Sequence, residues 1–220
     1  MRRLRRDLIL LLGSLAVLAA CTLVVADGKV GAAERAVFHA VNGLPGWLYL
    51  PMLFAQFLGV LGIPLLVAAV ALVLRRWRLA AALALVVPLK LLAERVPKQL
   101  VQRERPGTTV PDAILRDGVH PGGLSFVSGH AIITFAIAGL LLLVLPRRWA
   151  VVAFVLATLN AVARVYLGAH NPLDVVGGAA IGLAIAAALD LVLDVARDRP
   201  AALRTAGPPR RSPTGFPPRR

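Results

Sequence analysis

The sequence predicts an all-α fold, a polytopic membrane helical bundle of about six transmembrane helices, on three observations. Of the 220 residues 58% are hydrophobic and 16% charged, with a mean hydropathy of +0.76, whereas a water-soluble domain carries about 25% charge. Six apolar stretches, near 8–26, 48–74, 79–97, 129–145, 149–166 and 172–193, approach or exceed the roughly 20 residues that cross hydrocarbon as a helix. Lys and Arg collect between alternate stretches, which fixes an orientation. No repeat or internal linker divides the chain, so residues 1–196 read as one membrane-embedded domain.

The amino terminus carries Arg2, Arg3, Arg5 and Arg6 ahead of the first stretch. "LAAC", ending at Cys21, has the look of a lipoprotein cleavage site, but the apolar run continues to Ala26, which favours a retained span. Next, "AAERAVFHAVNG" sets Ala33, Val37, Phe38 and Val41 at helical spacing before Asn42-Gly43, a short helix on the outer surface. The second stretch is long and holds Gly59 and Gly62, where it tilts or kinks. "RRWR" precedes the third, which contains Lys90, a residue without a functional assignment. "PRRW" separates the fourth from the fifth. After the sixth, residues 197–220 supply seven arginines among Pro, Gly, Ser and Thr, a disordered basic tail near anionic headgroups. The cations of the amino terminus, "RRWR", "PRRW" and the tail fall on one side, the cytoplasmic one by the positive-inside rule. The net charge of +14 is therefore an orientation signal. With no basic face interleaved with aromatics, nucleic acid is excluded as a partner.

The opposite side should be poor in cations, yet it holds Lys98, Arg103 and Arg105 in "KQLVQRERPGTTV" and Arg164 at the end of the fifth stretch. Ionisable groups near membrane depth are costly and mark sites or pairs. Arg103 and Arg116 read as cations snorkelling to lipid phosphates. Lys98, Arg105 and Arg164 share their side with two further groups. In "SFVSGHAIITF" Ser128-Gly129-His130 opens the fourth stretch, with Ser128 as a cap, and a helix start of this kind binds anions. In "AHNPLDVVGG" Asn171 and Pro172 form the cap and first residue of the last helix, with Asp174 at its third position. Asp174 is either a capping carboxylate or the partner that fixes the tautomer of His170 four residues earlier.

Lys98 with Arg105-Pro106, Ser128-Gly129-His130, and Arg164 with His170 and Asp174 together resemble the three-part signature of the type 2 phosphatidic acid phosphatase superfamily. Val127 and Ala163 stand where that family usually has Pro and Ser. The resemblance implies a lipid phosphate phosphatase. Lys98, Arg105, Arg164, Ser128 and Gly129 would hold the phosphate oxygens, His170 backed by Asp174 would attack phosphorus, and His130 would protonate the leaving group.

No metal or other cofactor is expected: the carboxylates Glu94, Glu104, Asp112 and Asp117 show no compact ligand spacing with the histidines, and three cations already supply the charge. His39 and His120 read as surface residues. A phosphotransferase of the same superfamily and a non-catalytic lipid-phosphate binder or transporter are the alternatives, although a transporter would place its polar groups at the midplane. The expected substrate is a lipid phosphate (phosphatidate, phosphatidylglycerophosphate or a polyprenyl phosphate or diphosphate), with membrane lipids as the surroundings. The residues do not choose among these lipids, and they are silent on oligomeric state. The 22 Arg against 3 Lys point to a GC-rich bacterial genome and a plasma-membrane location with the site extracytoplasmic. In a Cys21→Ser background, an impermeant thiol reagent is expected to label Thr109→Cys in intact cells and to spare Pro200→Cys; the reverse pattern would invert this topology.

Overall fold

All six apolar stretches form helix, and their lengths and polarity decide how each one sits. The computed structural model describes residues 2–119 and 122–200. The tail from residue 201 and His120 lie outside the described residues. The helices are α1 (Arg2–Val24), α2 (Ala32–Asn42), α3 (Tyr49–Phe57), α4 (Gly62–Val73), α5 (Trp77–Val101), the single turn α6 (Pro106–Thr109), α7 (Gly129–Val144), α8 (Arg147–Tyr166) and α9 (Pro172–Leu193). Among the described residues the only strand-like pairing is one bridge between Glu104 and Leu124.

Three helices, α1, α8 and α9, are long and apolar enough to cross a membrane, and α3 with α4 makes a fourth if that pair is one span bent by 59°. Two of the six expected spans differ for physical reasons. Helix α5 has the length, 25 residues, but carries Arg78, Lys90, Glu94, Arg95 and Lys98. Helix α7 is apolar but has 16 residues, which reach about 24 Å at 1.5 Å per residue. Leu12, Phe54, Leu66, Val73 and Val192 lie exposed on the outside, an apolar exterior suited to lipid. The chain is a multi-pass helical membrane protein.

Helix α7 is the axis. Ala131, Ile132, Ala136 and Leu140 on it are fully buried, because α8, α9 and α5 surround it. Small residues let the backbones close in, as in other membrane bundles. A Cβ on Gly182 of α9 would stand 2.4 Å from the carbonyl oxygen of Ile132, and one on Gly139 of α7 would stand 2.7 Å from the Ala186 side chain.

Alternation of the helices brings the end of α5 and the starts of α7 and α9 to one end of the bundle. The far end is bound by charge. Arg3 and Arg6 of α1 both pair with the buried Asp190 of α9, Arg6 also holds Asp7, and Arg3 and Arg197 meet Asp194. Residues 197 and 198, assigned from sequence to the tail, sit in a 3-10 turn, Val195–Asp198. Asp198 accepts the backbone N–H groups of Arg78 and Leu79 at 2.9 and 3.0 Å, which caps α5. Exposed α2 lies across the other end, with Phe38 buried beneath it and His39 open to solvent. Gly182→Val is expected to lower the midpoint of thermal unfolding in detergent, since overpacking costs about 1–3 kcal/mol. An unchanged midpoint would mean that α7 and α9 do not pack this closely.

Candidate active site

Two helix starts meet at the α2 end. The Ser128 N–H donates to the Asp174 carbonyl at 2.9 Å, joining the N-cap of α7 to the first turn of α9. A Cβ on Gly178 would fall 2.5 Å from the Ser128 carbonyl oxygen, so glycine is what permits this approach. The first N–H groups of α7 have no intrahelical acceptors and lie at the positive end of the helix dipole. Ser128 occupies the N-cap position, but its hydroxyl makes no capping bond; it is fully buried with no hydrogen-bond partner. The expected Ser cap is thus absent, and the hydroxyl stands buried beside the unpaired N–H groups of the helix start.

Around this start stand most of the residues singled out in the sequence. Arg164, near the end of α8, is buried, and its Nη1 donates to Gln56 Oε1 at 2.6 Å, while its Nε makes no hydrogen bond. The chain then turns at Gly168, whose φ of +79° and contact with the Ile114 carbonyl suit glycine alone. The N–H groups of Ala169 and His170 fold back on the Arg164 carbonyl at 2.9 and 3.2 Å, which sets His170 beside Arg164. Arg105, Arg164, Lys90 and the His170 ring all act electrostatically on His130. His130 itself packs against the α3–α4 break, where a Cβ on Gly59 would meet its Cβ at 2.6 Å. Lys98 is engaged elsewhere, its Nζ 3.4 Å from Glu94 Oε2.

Asn171 and Pro172 are the cap and first residue of α9, as the sequence predicts, and Asp174 Oδ2 accepts the Asn171 N–H at 2.8 Å. The hydrogen bond expected between Asp174 and His170 is not made. Nδ1 of His170 lies 3.7 Å from Oδ2, beyond hydrogen-bond length; that oxygen accepts the Asn171 N–H and the other accepts Arg103 at 3.0 Å. Burial is the largest influence on the His170 ring and pulls it down to about 4; Asp174 raises it and Arg164 lowers it. Burial thus holds the ring towards its neutral form.

Two cations read as snorkelling are nothing of the kind. Arg103 is fully buried, bound by both nitrogens to Glu34 at 2.5 and 3.1 Å and by Nη1 to Asp174. Arg116 stacks on the Tyr166 ring at 3.7 Å and donates to the carbonyls of Tyr166 and Asn42. Buried acceptors outbid lipid phosphate for a planar guanidinium that can grip two oxygens at once. Reading the sequence also missed Gln56, Glu34, and Glu94 as the partner of Lys90 at 2.8 Å. Only the i, i+4 spacing of Lys90, Glu94 and Lys98 signalled any of these contacts. Among the described residues no group of three or more His, Cys, Asp or Glu is placed to hold a metal ion.

The helical spans define a multi-pass membrane protein, and the start of α7 leaves unpaired N–H groups of a kind that suits an anion at one end of the bundle. The chain belongs to the PAP2 superfamily, whose profile matches residues 75–198. Over 90 residues it is 38% identical to a lipid A 4'-phosphatase of Bacteroides thetaiotaomicron, a match covering 39% of this chain and 40% of that one. Over 87 residues it is 36% identical to an undecaprenyl-diphosphatase of Sulfolobus acidocaldarius, covering 40% and 42%. The chain thus spans well under half the length of these curated relatives. Its fold is similar to LpxE of Aquifex aeolicus, with a TM-score of 0.67 at 24% identity over 74% of this chain and 98% of that one. It is also similar to a transmembrane PAP2-type phosphatidylglycerolphosphate phosphatase of Bacillus subtilis, with a TM-score of 0.65 at 25% identity over 84% and 94%. Gly59→Ala is expected to displace His130 and to slow phosphate release in detergent about a hundredfold, the cost of an ångström-scale misplacement. Parental activity in that variant would mean that the α3–α4 break does not position His130.

Proposed function

We propose that the protein is a metal-independent lipid phosphate phosphatase acting at the extracytoplasmic face of the plasma membrane. The observation that carries the reading is the start of α7, where the buried, unpartnered Ser128 hydroxyl adjoins two N–H groups and the charges of Arg105 and Arg164 act nearby. A transferring phosphoryl group carries its charge on three equatorial oxygens, so catalysis rests on placed donors and cations. Arg105, Arg164, the Ser128 hydroxyl and the Gly129 N–H hold those oxygens, and Lys98 joins them on leaving Glu94.

The neutral Nε2 of His170 attacks phosphorus as the bond to the lipid oxygen breaks. His130, which takes up a proton once the anionic substrate offsets the cations around it, gives that proton to the lipid oxygen, the lipid alcohol leaves, and the phosphoryl group stays on His170. Water then attacks phosphorus, His130 takes its proton, the N–P bond breaks and phosphate departs. Asp174 offsets the positive charge on the phosphorylated ring from behind. A lipid substrate fits a site at the end of an apolar bundle, and the named relatives act on lipid A, undecaprenyl diphosphate and phosphatidylglycerophosphate. Their variety leaves the headgroup to experiment.

The test is phosphate release from phosphatidate, phosphatidylglycerophosphate, undecaprenyl diphosphate and lipid A by the purified protein. Activity on at least one is expected in excess chelator, with inhibition by vanadate. His170→Ala is expected to lose both turnover and an acid-labile phosphoenzyme, and His130→Ala to lose about 10²–10⁴-fold, mostly with poor leaving groups. A phosphoenzyme in the His170→Ala protein would overturn the assignment, and activity lost in chelator and restored by a divalent ion would overturn the metal-free reading.

A further inference from the structure

Behind His170 lies a buried file of three charged groups that the phosphate cradle does not use. Glu34 of α2 takes two hydrogen bonds from Arg103 and a third from the Leu173 N–H at 2.9 Å. The Arg103 Nη1 is shared between Glu34 Oε1 and Asp174 Oδ1, at 3.1 and 3.0 Å. The side chains of Arg103 and Asp174 are fully buried and that of Glu34 is 7% exposed. The other oxygen of Asp174, which accepts the Asn171 N–H, lies 3.7 Å from His170 Nδ1, within electrostatic reach of the ring. Glu34 lies outside residues 75–198, the region shared with the family profile.

Charge arithmetic gives the file a purpose. Two carboxylates and one guanidinium carry a formal charge of about −1 in a dry place, where charges act far more strongly than in water. When Nε2 of His170 bonds to phosphorus, its ring becomes a cation that retains the Nδ1 proton. The single negative charge behind it is then matched. Without Glu34, Arg103 would cancel Asp174 alone and nothing would remain for the ring. Without Arg103, two carboxylates would face each other and the Asp174 plane would lose the bond that sets it.

We infer that Glu34 and Arg103 are positioning residues for the nucleophile: Glu34 anchors Arg103, and Arg103 fixes and balances the Asp174 carboxylate that supports the developing charge on His170. The inference rests on His170 being the nucleophile of the proposed phosphatase. It predicts an effect on the transition state and none on the resting complex, which a purely structural role would not separate.

Vanadate, whose five-coordinate form bonds to the attacking nitrogen, reports the first, and inorganic phosphate reports the second. Both are titrated calorimetrically into the purified full chain in detergent. Glu34→Gln and Arg103→Lys are expected to weaken vanadate about tenfold, the lower range for groups that orient a ligand from behind, with phosphate binding unchanged. Glu34→Asp, which keeps the charge, is expected to recover part of the loss. Equal weakening of both anions would make Glu34 and Arg103 mere supports of the cradle and overturn the inference, as would unchanged vanadate binding in both variants. A parent chain that binds vanadate no more tightly than phosphate, or a His170→Ala chain that keeps the preference, would instead overturn the nucleophile assignment itself. Arg103→Lys guards against a Glu34→Gln chain that fails to fold.

Discussion

Everything at the candidate site depends on two helix starts being held side by side. One backbone hydrogen bond, from the Ser128 N–H to the Asp174 carbonyl, joins them, and Gly178 and Gly182 remove the side chains that would prevent it. In water such closeness would draw on the hydrophobic effect, but lipid tails are as apolar as leucine, so close backbone packing supplies the association. The consequence is positional: the N–H groups of α7 and the α8–α9 turn share one small volume, and the backbone that carries His170, Arg164 and Asp174 is fixed relative to it.

A second constraint is the cost of unpaired polar groups where water is scarce. At the α3–α4 break the carbonyls of Ala55 and Gln56 accept the N–H groups of Leu58 and Gly59 in tight turns, and Asn160 of α8, itself fully buried, adds a second donor to each at 2.9 and 3.1 Å. The same break presents Gln56 to Arg164 and a bare Gly59 to His130. Non-helical backbone at membrane depth survives only where protein lines it. Here it lies beside the residues proposed to do the chemistry.

The sequence made the helices legible because hydropathy reports the solvent directly, and it made the motif residues legible because charge in an apolar chain is conspicuous. Asn171-Pro172 announced a helix start that is found where expected. The partners were not legible. Arg103 and Arg116 look alike as single cations on the outer side, and only tertiary structure brings Glu34 and Asp174 to one and the Tyr166 ring to the other. Glu34 stands in an unremarkable "AAER" on a surface helix, 69 positions from the arginine it holds, a separation that no local pattern encodes. Asp174 was read as either a cap or the partner of His170; its hydrogen bonds serve the cap and Arg103, while the ring stays at 3.7 Å.

The charged clasp at the far end also bears on the order of synthesis. Arg3 and Asp190 are 187 positions apart, so α1 finds its electrostatic partner only when α9, made much later, arrives. Until then Asp7, 2% exposed in the finished bundle, has only its neighbouring arginines on α1, and the long flank of α1 that α9 will cover faces lipid or insertion machinery. Closure of the bundle is therefore a late event that joins the two ends of the helical domain. A chain interrupted before α9 would be left with α1 holding a cluster of arginines that has lost its acidic counterparts at the end of α9.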